Sequence, residues 1–199
     1  MSELQKNFAK RRSIYKLGNH LPISVEELEN LIKNAVKYVP SAFNSQSSRV
    51  VLLLGKKHLK LWNDITLNIL KDIVSEDKFE NTKKRISAFA QAYGTILFFE
   101  DLDTIKNLEH KFPEYAQNFI VWSNQTSGML QYMVWTLLAE NNIGASLQHY
   151  NPLIDNELKK QFAINPKWQL IAQMPFGNIK EEASEKTFLA LDERFFTLS

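Results

Sequence analysis

The chain has 199 residues, with 24 Lys and Arg against 22 Asp and Glu and a formal net charge of +2, and its basic residues are scattered, so there is no electrostatic case for nucleic acid or a membrane surface as a partner. With 44% hydrophobic and 23% charged residues, the composition is that of one soluble globular domain covering residues 1–199. Cysteine is absent, which excludes disulfides, thiolate metal ligands and a cysteine nucleophile.

The amino terminus, MSELQKNFAKRRS, lacks the apolar core of a signal peptide, and the cytoplasm is the expected location. Leu4, Phe8 and Ala9 are spaced for one face of a short helix ending near Arg11-Arg12-Ser13. Ser24-Val25-Glu26-Glu27 matches a capping box, and Val25, Leu28, Leu31, Ile32, Ala35 and Val36 then recur at helical spacing until Pro40 stops the helix. Arg49 to Leu54 is a β-rich run closed by Gly55, and apolar residues from Leu59 to Ile73 describe an amphipathic helix. A further helix is predicted over 78–92. Gly94 opens TILFFED, whose unbroken apolar run predicts a strand buried on both faces.

A short helix over 104–111 precedes an uncharged stretch, Tyr115 to Ala139, which forms the longest helix of the chain. Asn118, Ser123, Asn124, Gln125, Thr126, Ser127, Gln131 and Thr136 interrupt its apolar residues and argue against a membrane span. A charge-free helix in a soluble protein meets protein on most sides, so it is a core helix or a subunit interface. Its Trp135 and Tyr132 read as core or interface, while Trp122 precedes a polar run and lies nearer a pocket mouth. A strand is expected from Ile143 to Pro152, a short helix over 154–162 and a strand over 168–174, turned by Pro175-Phe176-Gly177 into a polar tail. The final apolar residues, in TFLALDERFF, need a docking site on this subunit or another. Several helices around a few strands, without regular βαβ alternation, predict an α+β fold.

Neither GxGxxG, GxxxxGK[ST], GxSxG nor HExxH occurs, and His20, His58, His110 and His149 are too dispersed for a local metal site. Arg11-Arg12-Ser13 offers two guanidinium forks and a hydroxyl to a phosphate monoester, or is simply a cationic helix end complementing the macrodipole. The run Ser41 to Gln46, SAFNSQ, is either a turn satisfied by its own side chains or a set of donors and acceptors for a flat polar ligand.

The order and spacing of Arg11-Arg12-Ser13, of Pro40 to Gln46 after the first long capped helix, and of the following strand resemble the flavin-binding pattern of the nitroreductase family. LFFED, SLQHYNP and WQLIAQMPFGN resemble its branch of short bacterial and fungal nitroreductases related to the yeast fatty-acid-repression proteins, over about residues 7–186. The resemblance implies an α+β fold with a central mixed or antiparallel sheet surrounded by helices, an intertwined homodimer, and FMN sites at the subunit interface. Arg11, Arg12 and Ser13 would hold the phosphate and ribityl end. Pro40, Ser41, Ala42, Asn44 and Gln46 would come from the other subunit to line the isoalloxazine and ribityl chain. Leu147, Gln148 and His149 would pass along the ring edge, and Lys186 would approach the phosphate. Tyr15 and Phe188 stand where the family often carries cations, which removes positive charge near the phosphate and the reduced flavin.

The implied chemistry is ping-pong: NADH or NADPH gives hydride to flavin N5, and a nitroaromatic or quinone-like acceptor then takes its place. No catalytic side chain is assigned. His149 could protonate a reduced acceptor or form a hydrogen-bonding wall at the ring edge. A flavin-binding regulatory protein with little turnover is the alternative.

Overall fold

The computed structural model describes residues 2–198. Helix α1 (Glu3–Lys10) and helix α2 (Val25–Tyr38) both open on capping boxes. At α2 the Glu27 amide donates to Ser24 Oγ at 3.1 Å, and Glu27 Oε2 accepts from the Ser24 amide at 2.8 Å. These bonds satisfy donors that the first helical turn leaves free and draw the Glu27 carboxyl below its ordinary value. Leu28, Ile32 and Ala35 are buried on one face, as the spacing predicts.

The sheet is antiparallel in every named pair. Its path is β1 (Leu17–Gly18), β5 (Trp168–Ile179), β3 (Gly94–Asp101) and β2 (Ser48–Leu54), and β4 (Ile143–Ala145) also joins β5. Helices cover both faces. On one, α2 and α7 (Ala116–Glu140) pack Leu28, Ile32, Leu130, Val134 and Leu138 against the sheet. On the other lie α3 (Gly55–Leu59), α4 (Leu67–Ile73), α5 (Glu76–Ala90) and α8 (Asp155–Phe162). Helix α6 (Leu102–Lys111) connects β3 to α7.

Strand β3 shows why its sequence lacks alternation. Ile96 and Phe98 enter the α2/α7 core, whereas Leu97 and Phe99 enter the other, so both sets of side chains leave water. In β5, Ala172, Met174 and Phe176 face the first core, yet Leu170 faces the second despite its equal parity. The register explains this: Phe98 pairs with Ala172 and Phe99 with Leu170, leaving Ile171 as an extra residue. A bulge there exchanges the faces of the strand.

Several elements differ from the sequence expectation. The 59–73 helix is continuous from α3 to α4 but has π geometry over Lys60–Thr66, around the fully buried Trp62. The strand beginning at Ile143 stops at Ala145; Gln148 makes only an isolated bridge to Gln173. Pro175-Phe176-Gly177 is not a turn, because β5 runs through it. Close approach makes Gly177 necessary, since a Cβ there would overlap the Gly18 carbonyl oxygen of β1. Among the described residues, no helix is long and apolar enough to cross a membrane.

Two buried polar clusters are closed. Trp62 Nε1 donates to Thr95 Oγ1 at 2.9 Å, which leaves the hydroxyl proton for His58 Nδ1 at 2.9 Å and the His58 Nε2 proton for the Ala90 carbonyl at 3.2 Å. Burial lowers the His58 pKa, in keeping with a neutral structural ring. Glu100 is 0% exposed and accepts from Ser47 Oγ and Ser48 Oγ at 2.6 Å each. Burial raises its pKa, and the two hydroxyls and Arg49 oppose that shift in part.

Truncating Phe98 to alanine should cost about 3–5 kcal/mol of stability in chemical denaturation, because a fully buried ring leaves a cavity between two layers. Glu100 binds its proton more tightly folded than unfolded, so its contribution is greatest below the ordinary carboxyl value of 4.5 and is lost as pH rises through the folded value. Denaturation of Glu100→Gln across this range should show a smaller fall in stability with rising pH than the wild-type chain.

Candidate functional site

Arg11 ends α1 as its C-cap residue, and Ser13 forms a parallel bridge to Ala145 with the Ile14 amide donating to the Ala145 carbonyl at 2.9 Å. The central sheet thus fixes the segment's direction. Arg11, Arg12, Ser13 and Lys186 all line one cavity of about 480 Å³. Lys16 joins them, as do Glu181 and Glu182, so the lining holds four cations against two carboxylates. Arg12 donates to the Ser184 carbonyl at 2.6 Å and ties the cavity to the carboxy-terminal tail. The Arg11 guanidinium lies 4.4 Å from the Trp135 ring centre and 5.9 Å from that of Tyr132, an arrangement that orients the fork by cation–π attraction. Its Nε is buried and has no hydrogen-bond partner. An orphaned guanidinium donor among converging cations fits an anionic oxygen group such as a phosphate monoester.

Gln148 lines a neighbouring cavity of about 580 Å³ that shares Tyr15 and Lys16 with the first and adds Lys84 and Arg85 from α5. Its backbone pairs with that of Gln173 at 2.7 and 2.9 Å, which pins the Ser146–Tyr150 segment along β5. Leu147 packs on the first core. His149 is exposed and makes no side-chain hydrogen bond among the described residues.

The Pro40 to Gln46 run lies elsewhere. Pro40, Ser41, Ala42 and Phe43 line a cavity of about 350 Å³ against Trp122 and Met129, and Ser41 and Gln46 also border one of about 550 Å³ between α2 and β2. Phe43, Asn44 and Gln46 all have left-handed backbones, with φ of 54°, 52° and 49°. Such conformations each cost roughly 1–3 kcal/mol for residues other than glycine, cluster at functional sites and persist only where the surroundings enforce them. The turn satisfies part of itself, since the Gln46 amide donates to Ser41 Oγ at 3.1 Å. Asn44 is exposed. Phe43 remains 49% exposed, although its ring lies 4.7–6.0 Å from those of Phe112, Tyr115, Phe119 and Trp122.

The cationic cavity belongs to the end of the β3–β5 ladder where Gly94 pairs with Phe176, Phe176 with Ala145, and Ala145 bridges Ser13. The turn belongs to the opposite end, where Ser48 pairs with Glu100. An eight-residue strand separates them, a span of roughly 25 Å. The structure therefore gathers Arg11, Arg12, Ser13 and Lys186, with Gln148 adjacent, and sets Pro40, Ser41, Ala42, Asn44 and Gln46 apart.

Residue spacing alone passed over three contributors. Trp135 braces Arg11, Lys16 adds a cation, and Glu100 holds the two serines that follow the turn. Only Glu100 left a signal, as the first of two acids that end the apolar run of β3.

The nitroreductase family model matches residues 8–178. The Saccharomyces cerevisiae protein HBN1 is 33% identical over 193 residues, covering 96% of this chain and 95% of its own. The nitroreductase CinD from Lactococcus lactis, solved in complex with nicotinic acid, is 43% identical with a TM-score of 0.93, covering 99% of this chain and 100% of its own. CinD has also been solved with chloramphenicol and with 4-nitrophenol. A Desulfovibrio desulfuricans protein solved with FMN shares the fold at 17% identity and a TM-score of 0.70, covering 100% of this chain and 98% of its own. Sequence and backbone agree over nearly the whole length, and the chain belongs to the nitroreductase family.

Proposed function

We propose that the chain is a flavin oxidoreductase that binds FMN between two copies of itself and uses NADH or NADPH to reduce nitroaromatic or quinone-like acceptors. The observation that carries this reading is the convergence of Arg11, Arg12, Ser13 and Lys186 on one cavity, with Arg11 Nε left unpartnered. Arg11, Arg12 and Lys186 would hold the phosphate, Ser13 would hold the ribityl chain, and Gln148 would stand beside the ring. Bound FMN supplies the capacity to pass a hydride from a nicotinamide to an acceptor. The chain's own task is to orient that ring, exclude water on one side and leave the other side open to flat substrates. Complexes of CinD with nicotinic acid and 4-nitrophenol, both small aromatic molecules, support this class of ligand.

Two features support a second copy. The Pro40–Gln46 turn is too far from its own chain's cations to complete their site. In addition, apolar surface is left open: Phe188, Leu191, Phe195 and Phe196 in the tail are 72–76% exposed, and Val121, Met129 and Tyr132 form an uncharged stripe on α7. Exposed apolar surface of that extent marks an interaction face. The α7 stripe is charge-free along its whole length, so two copies can meet there without burying an unpaired charge.

The purified chain should bind one FMN per subunit, turn yellow and oxidise NADH or NADPH when a nitroaromatic is added; a protein that remains colourless after incubation with FMN would overturn the flavin reading. Stoichiometric FMN with negligible turnover would replace the enzyme by a flavin-binding regulatory protein. Arg11→Ala should weaken FMN on the order of tenfold or more in a fluorescence-quenching titration, through loss of a charge-assisted contact. Light scattering after size exclusion should give a dimer, and truncation after Lys186 should shift it toward monomer; a full-length monomer would contradict the shared site.

A further inference from the structure

Among the described residues, Glu100 is the carboxylate that the fold buries completely. It lies far from the cationic cavity and takes no part in the chemistry proposed above. Its two oxygens are both engaged: Oε2 accepts from Ser47 Oγ and Oε1 from Ser48 Oγ, each at 2.6 Å. Distances that short are typical of hydroxyl donors to an ionised acceptor. Ser47 is itself 0% exposed and Ser48 7% exposed. An apolar residue at position 100 would leave two buried hydroxyls without their acceptor.

The neighbouring contacts serve the same junction. The Asp101 amide donates to the Ser47 carbonyl at 2.9 Å. Arg49 pairs with Asp101 at 2.8 Å through Nη2, while its Nη1 donates to the Gln46 carbonyl at 2.7 Å and the Ser48 carbonyl at 3.1 Å. Residues 46–49 are thus tied to residues 100–101 by four hydrogen bonds besides the β-ladder, and the two from Arg49 Nη1 brace the 46–49 segment internally. Immediately upstream are the three left-handed residues Phe43, Asn44 and Gln46. Within the turn, the restraints are the Asn44 and Ser45 amides on the carbonyls of Ser41 and Ala42, at 3.0 Å each, and the Gln46 amide on Ser41 Oγ. Those bonds close the turn but do not aim it. Phe43 packs the middle of the turn on the aromatic rings at the start of α7, and the turn's exit is held to the sheet where Ser47 and Ser48 meet Glu100.

We propose that Glu100 is a positioning residue: by gripping Ser47 and Ser48 it fixes the exit of the Ser41–Gln46 turn, and so the pose in which that turn meets the flavin. The proposal rests on the flavin reading above. It also accounts for an acid in the interior, where a carboxylate is costly and a neutral apolar side chain would pack more cheaply. Two donors arriving from consecutive residues, Ser47 just before β2 and Ser48 at its start, need two acceptor atoms on one group, and a carboxylate supplies them.

The test compares the full-length wild-type chain with Glu100→Leu, Glu100→Gln and Ser47→Ala. Amide hydrogen exchange over 41–48 is read without FMN, and FMN affinity and the visible flavin spectrum are read by titration. Glu100→Leu should speed exchange at 41–48 on the order of tenfold, leave the β3–β5 amides protected, weaken FMN by a similar factor and shift the flavin bands, as loss of hydrogen bonds to a charged group implies. Glu100→Gln, which can accept from one serine and donate to the other, should restore most of both effects. Unchanged exchange and affinity in folded Glu100→Leu would overturn the proposal, as would a loss of FMN that merely tracks global unfolding. Should Glu100→Leu fail to fold, Ser47→Ala carries the same local readout, and exchange at 41–48 equal to wild type would be decisive against the latch. If the wild-type chain binds no FMN, the flavin reading fails by itself, and the role given to Glu100 toward the flavin goes with it.

Discussion

The β3–β5 ladder is the constraint on which the remaining geometry depends. Because β3 sends large side chains into both cores, it needs helices on both faces and a neighbour on each edge, and β2 and β5 supply the edges. Once that ladder is set, its ends are specialised by what pairs there. At one end β4 and the Ser13 bridge bring Arg11, Arg12 and Lys186 to a common cavity. At the other end the β2–β3 register delivers Ser47 and Ser48 to Glu100, directly after the turn. The cationic cavity and the left-handed turn thus sit at opposite ends of one strand pair, and the strand's length sets their separation.

Charge is used differently at the two ends. Lys16 and Lys186 are exposed and Arg12 is half-buried at the cavity, where they can attract an anion from solution, whereas Arg11 has its Nε buried against Trp135. Glu100 is sealed from water, and its hydrogen bonds define a geometry.

Much of this was legible in the sequence. The Ser24–Glu27 capping box, the two-sided burial of TILFFED and the long uncharged helix each follow from local chemistry, and α2, β3 and α7 appear with nearly the expected bounds. The residues expected to hold a cofactor follow from a resemblance in order and spacing along the chain, and the fold brings Arg11, Arg12, Ser13 and Lys186 to one cavity. What escaped was non-local. Leu17–Gly18 is too short to carry a strand pattern and exists because β5 accepts it. Pro175 and Gly177 resemble a turn, yet tertiary pairing keeps both in β5. The partnership of Glu100 with Ser47 and Ser48 spans 53 and 52 residues, and no window along the chain contains both sides of it. Trp135 under Arg11 is hidden in the same way.

The extra residue at Ile171 has a consequence for comparing this chain with its relatives. Counting every second residue from Trp168 predicts that positions 168 to 176 share a face, but the bulge transfers the strand from one core to the other between Leu170 and Ala172. A pairwise alignment that closes or shifts a gap across this position would keep the apolar pattern intact and still assign each downstream side chain to the wrong layer. In homologous chains, matching hydrophobic letters in this strand is therefore insufficient evidence of equivalent positions. The position of the bulge must be matched first.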